Sequence, residues 1–174
     1  MENLRVGVVG AGAIGRDHIR RIQQVTQGAV VTAVSDINEE GGRKVAEQWG
    51  ATFFADGEEM IRSDLVDAVV ITTLDEFHEQ YAVAAIRAGK YVLCEKPLAP
   101  DAASCQRIMQ AEMDGGKKLL QVGFMRRYDA GYRELKHIVT EKQYGEPLML
   151  HCAHRAVSIA SNYVTSMLVT NCAV

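Results

Sequence analysis

The sequence predicts an α/β protein built on a doubly wound parallel sheet and followed by the incomplete start of a second α/β domain. Short β-branched runs alternate with helical periodicity from Leu4 to about Val122, the rhythm of a parallel sheet covered on both faces. A glycine-rich turn, Gly10-Ala11-Gly12-Ala13-Ile14-Gly15, joins the first of those runs to the first helical pattern. After Val122 the rhythm changes. These observations divide the chain into a doubly wound α/β domain over residues 1–122 and the start of a second unit over residues 123–174.

Taken in order, Leu4 to Val9 reads as a strand and Ile14 to Val25 as a helix. Val30 to Ser35 is the second strand, and Glu39 to Trp49 a helix stopped by Gly50. Thr52 to Phe54 makes a short third strand, with a short helical piece from Glu58 to Arg62. Ala68 to Thr72 is the fourth strand, followed by a helix from Phe77 to Ala88 that Gly89 ends. Tyr91 to Cys94 is the fifth, Asp101 to Met113 a helix closed by Gly115-Gly116, and Leu119 to Val122 the sixth strand. Beyond it, Ala130 to Thr140 has helical periodicity and Pro147 to His154 reads as a strand of the second unit.

A length of 174 residues suits one domain of ordinary size plus part of another. Hydrophobic residues at 48%, charged residues at 24% and a net charge of -3 describe a globular chain without the electrostatic footprint of a nucleic-acid or membrane partner. Cys94, Cys105, Cys152 and Cys172 have no CxxC spacing, so neither a metal site nor a disulfide framework is expected. Met1-Glu2-Asn3 leads straight into a strand without a signal-peptide pattern, and no apolar run is long enough to span a bilayer; a cytoplasmic protein is expected.

The glycine turn gains meaning from its place between strand and helix. Gly10 permits a tight turn, Gly12 lets backbone approach a pyrophosphate, and Gly15 lets the helix pack close to the sheet. The amides around Ala13 and Ile14 open the helix, where oriented N–H groups favour an anion. Asp36 closes the second strand about twenty residues further on, where a carboxylate accepts from adenosine ribose hydroxyls and repels a 2′-phosphate. Arg43 and Lys44 fall inside the following helix, so NAD is favoured over NADP. Thr72 and Thr73, at the end of the fourth strand, face the same crevice and are candidates for contacting the nicotinamide half.

Glu95-Lys96-Pro97 ends the fifth strand, an unusual place for a lysine. Carboxyl ends of parallel strands face the ligand crevice, and the proline disfavours helical backbone at Lys96, so its amine is presented from an extended or turn conformation. Lys96 is a candidate acid–base group. A solvated lysine, with a pKa of about 10.4, is a poor base at neutral pH, so a site that uses one must favour the neutral amine.

GAGAIG at residues 10–15, Asp36, His78 and GKYVLCEKPLA at residues 89–99 together resemble the glucose-fructose oxidoreductase / inositol dehydrogenase / MocA family. GFMRRYDAGY (123–132) and GEPLMLHCAHR (145–155) resemble the bacterial inositol 2-dehydrogenases within it. The resemblance implies a Rossmann domain, a C-terminal α/β domain that forms homo-oligomers, and oxidation of a secondary alcohol on a cyclic polyol or sugar with hydride passing to NAD. It assigns Lys96 to substrate contact and proton relay, His154, Met125 and Arg126 to the substrate pocket, and Glu95 and His78 to the cofactor side. It also implies an aspartate and, four residues later, a histidine as principal proton acceptor. The register from Asn162-Tyr163 puts Asn171 at the aspartate position and the histidine just beyond Val174. Ala156-Val157 replace a common Asn-Pro, Ser166 replaces a common aspartate, and Leu74-Asp75-Glu76 departs from the usual turn. An asparagine cannot hold the charge of the aspartate it replaces. The chain alone is therefore expected to bind nucleotide better than it turns over substrate, with a non-catalytic dinucleotide-binding protein or fragment as the alternative.

Overall fold

A strand that carries β-branched residues on both faces has to be covered on both, and that requirement organises the first part of this chain. The computed structural model describes residues 2–151 and 153. Two units are distinguished, one running to Gly123 and the other from Phe124 onward.

In the first unit, β1 (Leu4–Val9), β2 (Ala29–Ser35), β3 (Thr52–Phe54), β4 (Ala68–Ile71), β5 (Tyr91–Glu95) and β6 (Leu120–Gly123) form one sheet in the order β3-β2-β1-β4-β5-β6. Every pairing is parallel. The order reverses between β1 and β4, which makes their carboxyl ends a topological switch point.

Side chains alternate across each strand and so feed two cores. Val6 and Val8 of β1 pack with Ile19 of α1 (Ala13–Gln24) and Val45 of α2 (Glu39–Trp49). Val9, Val69 and Ile71 face the other layer, where Met60 and Ile61 of α3 (Gly57–Arg62), Ala82 and Ile86 of α4 (His78–Arg87) and Ile108 of α5 (Ala102–Gly115) cover them. Each Val, Ile or Met among them contributes about 1.5–3 kcal/mol by leaving water.

The helix ends follow local rules. Asn38 caps α2 through Gly41 N–H at 3.0 Å, and Asp101 caps α5 through Ser104 N–H at 2.8 Å. Gly50 and Gly116 end those two helices in left-handed backbone, as the sequence leads one to expect. Strand and helix bounds in this unit match the expected ones or differ from them by one or two residues. The larger change is at Phe77, where a 3-10 turn, Asp75–Phe77, precedes α4.

Register brings the site together. Val9 pairs with both Ser35 and Ile71, and Ile71 pairs with Cys94. The residues that follow them, Gly10, Asp36, Thr72 and Glu95, therefore emerge along one edge of the sheet.

In the second unit a 3-10 turn, Met125–Arg127, leads to α6 (Ala130–Thr140), which Asp129 caps through Tyr132 N–H at 3.0 Å. The strand expected over Pro147 to His154 is not formed in its described part: residues 147–151 and 153 are irregular. A strand exists through its ladder, and no described segment pairs with this one; Leu148 and Met149 are almost fully exposed.

Candidate functional site

The glycines of the first turn divide into two kinds. Gly10 has φ +94°, and a Cβ there would lie 2.8 Å from the Thr72 carbonyl. On Gly15 a Cβ would lie 1.9 Å from the Gly10 oxygen. Both are demanded by the chain's own packing. Gly12 is different: its φ of -69° suits any residue, and a Cβ would meet nothing within 4 Å. Packing among the described residues therefore does not require a glycine at position 12. Gly12 is also the N-cap of α1 and offers no side-chain cap, which leaves the amides of the first turn, around the exposed Ala13 and Ile14, open to an anion.

Asp36 sits beside this turn with its carboxylate half-buried. Its Oδ2 accepts the Ala11 N–H at 2.5 Å and its Oδ1 accepts the Asn38 N–H at 2.7 Å. Each oxygen keeps a further lone pair for a ribose hydroxyl. The carboxylate thus has a second role that spacing did not suggest, fixing the glycine turn to the end of β2. Arg43 is paired with Glu39 at 3.0 Å and lies 4.6 Å over the Phe53 ring, and Lys44 is paired with Glu40 at 2.6 Å. Neither cation is spent on Asp36, so its negative charge faces the crevice uncompensated by them.

Three residues expected on the cofactor side also make hydrogen bonds within the frame. The Thr72 hydroxyl lies 2.6 Å from the Gly10 carbonyl, to which it donates, joining the ends of β4 and β1. Thr73 donates its hydroxyl to the Leu74 carbonyl at 3.1 Å. His78 is fully buried, with Nδ1 2.7 Å from the Pro97 oxygen and Nε2 3.2 Å from the Thr73 oxygen. With both ring nitrogens facing backbone carbonyls, His78 ties the loop after β4 to the loop after β5.

Glu95 and Lys96 leave β5 half-buried, and the Lys96–Pro97 peptide is cis. The Glu95 carboxylate is held from two directions: Oε1 lies 2.8 Å from His18 Nε2 on α1, and Oε2 accepts the Lys96 N–H at 3.2 Å. Burial works to raise the Glu95 pKa, but the His18 hydrogen bond, the Lys96 amide and the nearby positive charge hold it below the usual carboxylate range. The carboxyl is therefore an anion at neutral pH, and His18 Nε2 must carry the proton it donates. Sequence reasoning missed His18. Its signal was present: it lies three residues after Gly15 and one before Ile19, on the helix face turned toward the sheet.

Beneath this edge, burial pushes the Cys94 thiol up to about 12, with the Glu95 and Cys105 charges adding to the effect. In the second unit Met125 is half exposed on its 3-10 turn, and the Arg126 guanidinium lies 4.8 Å over the Tyr132 ring. His154 and Asn171, with Ala156-Val157 and Ser166, lie outside the described residues. Among the described residues no cluster of three or more His, Cys, Asp or Glu is placed to hold a metal ion, and no helix is long and apolar enough to cross a membrane.

Comparison with known proteins agrees with this geometry. Residues 4–124 match a family model described as an oxidoreductase family with an NAD-binding Rossmann fold. The chain is 53% identical over 171 residues to an inositol 2-dehydrogenase of Klebsiella pneumoniae (strain 342), covering 97% of this chain and 51% of that protein. It is 55% identical over 166 residues to an inositol 2-dehydrogenase of Acidiphilium cryptum, covering 94% and 49%. A solved myo-inositol dehydrogenase from Lactobacillus casei, in complex with NAD(H) and myo-inositol, superposes with a TM-score of 0.89 at 36% identity, over 97% of this chain and 50% of that one. The chain spans about half the length of the curated relatives it matches.

Proposed function

Because the chain belongs to the glucose-fructose oxidoreductase / inositol dehydrogenase / MocA oxidoreductase family, with its NAD-binding Rossmann fold, we propose that it is the nucleotide-binding part of an NAD-dependent polyol dehydrogenase. The observation that carries this reading is the strand register, which lines up the glycine turn, Asp36 and Glu95-Lys96 on one edge across the β1/β4 switch point. From Asp36 to Lys96 is three interstrand steps of about 4.8 Å each, the scale of a dinucleotide laid across strand ends.

In this reading the open Gly12 and the first-turn amides of α1 take the pyrophosphate, and Asp36 accepts from the adenosine ribose. NAD, when bound, supplies the hydride acceptor. Lys96 stands at the opposite end of the crevice from Asp36, where its amine contacts the substrate hydroxyl and relays the proton released as hydride leaves the carbon. Met125, Arg126, His154 and Asn171 belong to the substrate side. The substrate class, a cyclic polyol or sugar, rests on likeness to proteins named as inositol dehydrogenases. A homo-oligomer working in the cytoplasm completes the reading.

The test is NADH formation from myo-inositol and a panel of cyclic polyols, measured on this chain and on the longest protein its gene encodes. Lys96→Met should lower turnover by about 10²–10⁴-fold while leaving NAD affinity within a few-fold. Turnover on no cyclic polyol would remove the substrate assignment, and full activity in Lys96→Met would remove Lys96 from the proton relay.

A further inference from the structure

Oxidised and reduced nicotinamide dinucleotides differ by one positive charge on the nicotinamide ring. A fixed anion near that ring therefore binds the oxidised form more tightly, and Coulomb attraction in a partly buried site is several times stronger than in water. Asp36, at the end of β2, marks the adenosine end of the crevice, so the nicotinamide end falls toward β4 and β5. Glu95 is the last residue of β5 and lies at that end.

Its carboxylate is preorganised by the chain. One oxygen takes the His18 ring at 2.8 Å and the other takes the Lys96 amide at 3.2 Å. On the third side Gly123 of β6 flanks the carboxylate, where an added Cβ would sit at ordinary van der Waals distance from Oε1, 3.4 Å. Donors placed before any ligand arrives need no reorganisation when charge appears beside them.

We propose that the Glu95 carboxylate, positioned by His18, makes this site bind the oxidised dinucleotide in preference to the reduced one. The inference rests on the dinucleotide reading above and extends it to the redox state of the ligand. Where the Lys96 amine is charged it offsets part of the field, so Lys96 is left intact in every variant compared.

The experiment is direct titration of the 174-residue chain with NAD and with NADH, read as the ratio of the two dissociation constants. Glu95→Gln keeps the shape and removes the charge; the ratio should move toward the reduced form by at least about threefold. Glu76→Gln removes an exposed carboxylate from the 3-10 turn after β4 and should leave the ratio within about twofold. If Glu95→Gln does not fold by circular dichroism, Glu95→Ser should show the same loss and Glu95→Asp, which keeps the anion, should retain the ratio. An unchanged ratio in the folded glutamine or serine variant overturns the proposal, as does an equal change in Glu76→Gln. Failure of the unsubstituted chain to bind either nucleotide is a distinct result, which overturns the cofactor reading and the proposal with it.

Discussion

A methyl group on Gly15 would lie 1.9 Å from the carbonyl oxygen of Gly10, closer than any real Cβ contact. The second obstacle is the Thr72 hydroxyl, at 2.8 Å, itself hydrogen-bonded to Gly10. Neither can yield without moving the end of β1. Gly15→Ala should therefore lower stability by at least about 2 kcal/mol, measured by urea unfolding, and a variant as stable as the parent would contradict the close packing of α1 on the glycine turn.

Asp36 joins two tasks, holding the Ala11 amide and facing the ribose. In Asp36→Asn the amide oxygen can still accept the Ala11 N–H, but the charge is gone. NAD affinity should fall, and the preference for NAD over NADP should shrink by about tenfold, as read by titration with both nucleotides. A preference that survives undiminished would place the discrimination elsewhere.

His78 is buried with each ring nitrogen within hydrogen-bonding distance of a backbone carbonyl. His78→Phe fills the volume and removes both ring nitrogens, and should cost about 2–3 kcal/mol in urea unfolding. His78→Asn should recover part of that loss by offering a single donor. Nucleotide affinity per folded molecule should change less than it does in Asp36→Asn, because His78 acts through the loops it ties.

The Glu95–His18 pair makes stability depend on acid. A carboxyl whose pKa is lower folded than unfolded adds stability above its unfolded value, near 4.5, and loses it as pH falls through the folded one. His18→Leu removes the donor and leaves burial, which acts in the opposite direction. The gap in urea midpoint between parent and His18→Leu should be widest near neutral pH and should close on acidification below the ordinary carboxyl value. A gap independent of pH would mean that the pair contributes packing alone.

Much of this was written in the sequence, and for physical reasons. The alternation of β-branched runs with helical periodicity reads directly as a two-sided parallel sheet, and the spacing from Gly10 to Asp36 is set by one strand–helix–strand unit. Contacts between distant segments are less legible. His18 and Glu95 are 77 residues apart and meet because the start of α1 and the end of β5 lie along the same edge of the sheet. Thr72, Thr73 and His78 were placed on the correct edge, but position alone could not say whether their polar atoms point at a ligand or at neighbouring backbone. The described part of the segment from Pro147 to His154 is not a strand, because a pattern supplies side chains and not a pairing partner.

The most direct test of the strand-edge site is NAD titration of the chain and of Gly12→Ala. The parent should bind NAD saturably, one per chain. The variant should keep its stability within about 1 kcal/mol, since the added methyl meets nothing within 4 Å, yet lose at least about tenfold in affinity. Equal affinity in a folded Gly12→Ala, or no saturable binding by the folded parent, would contradict the account.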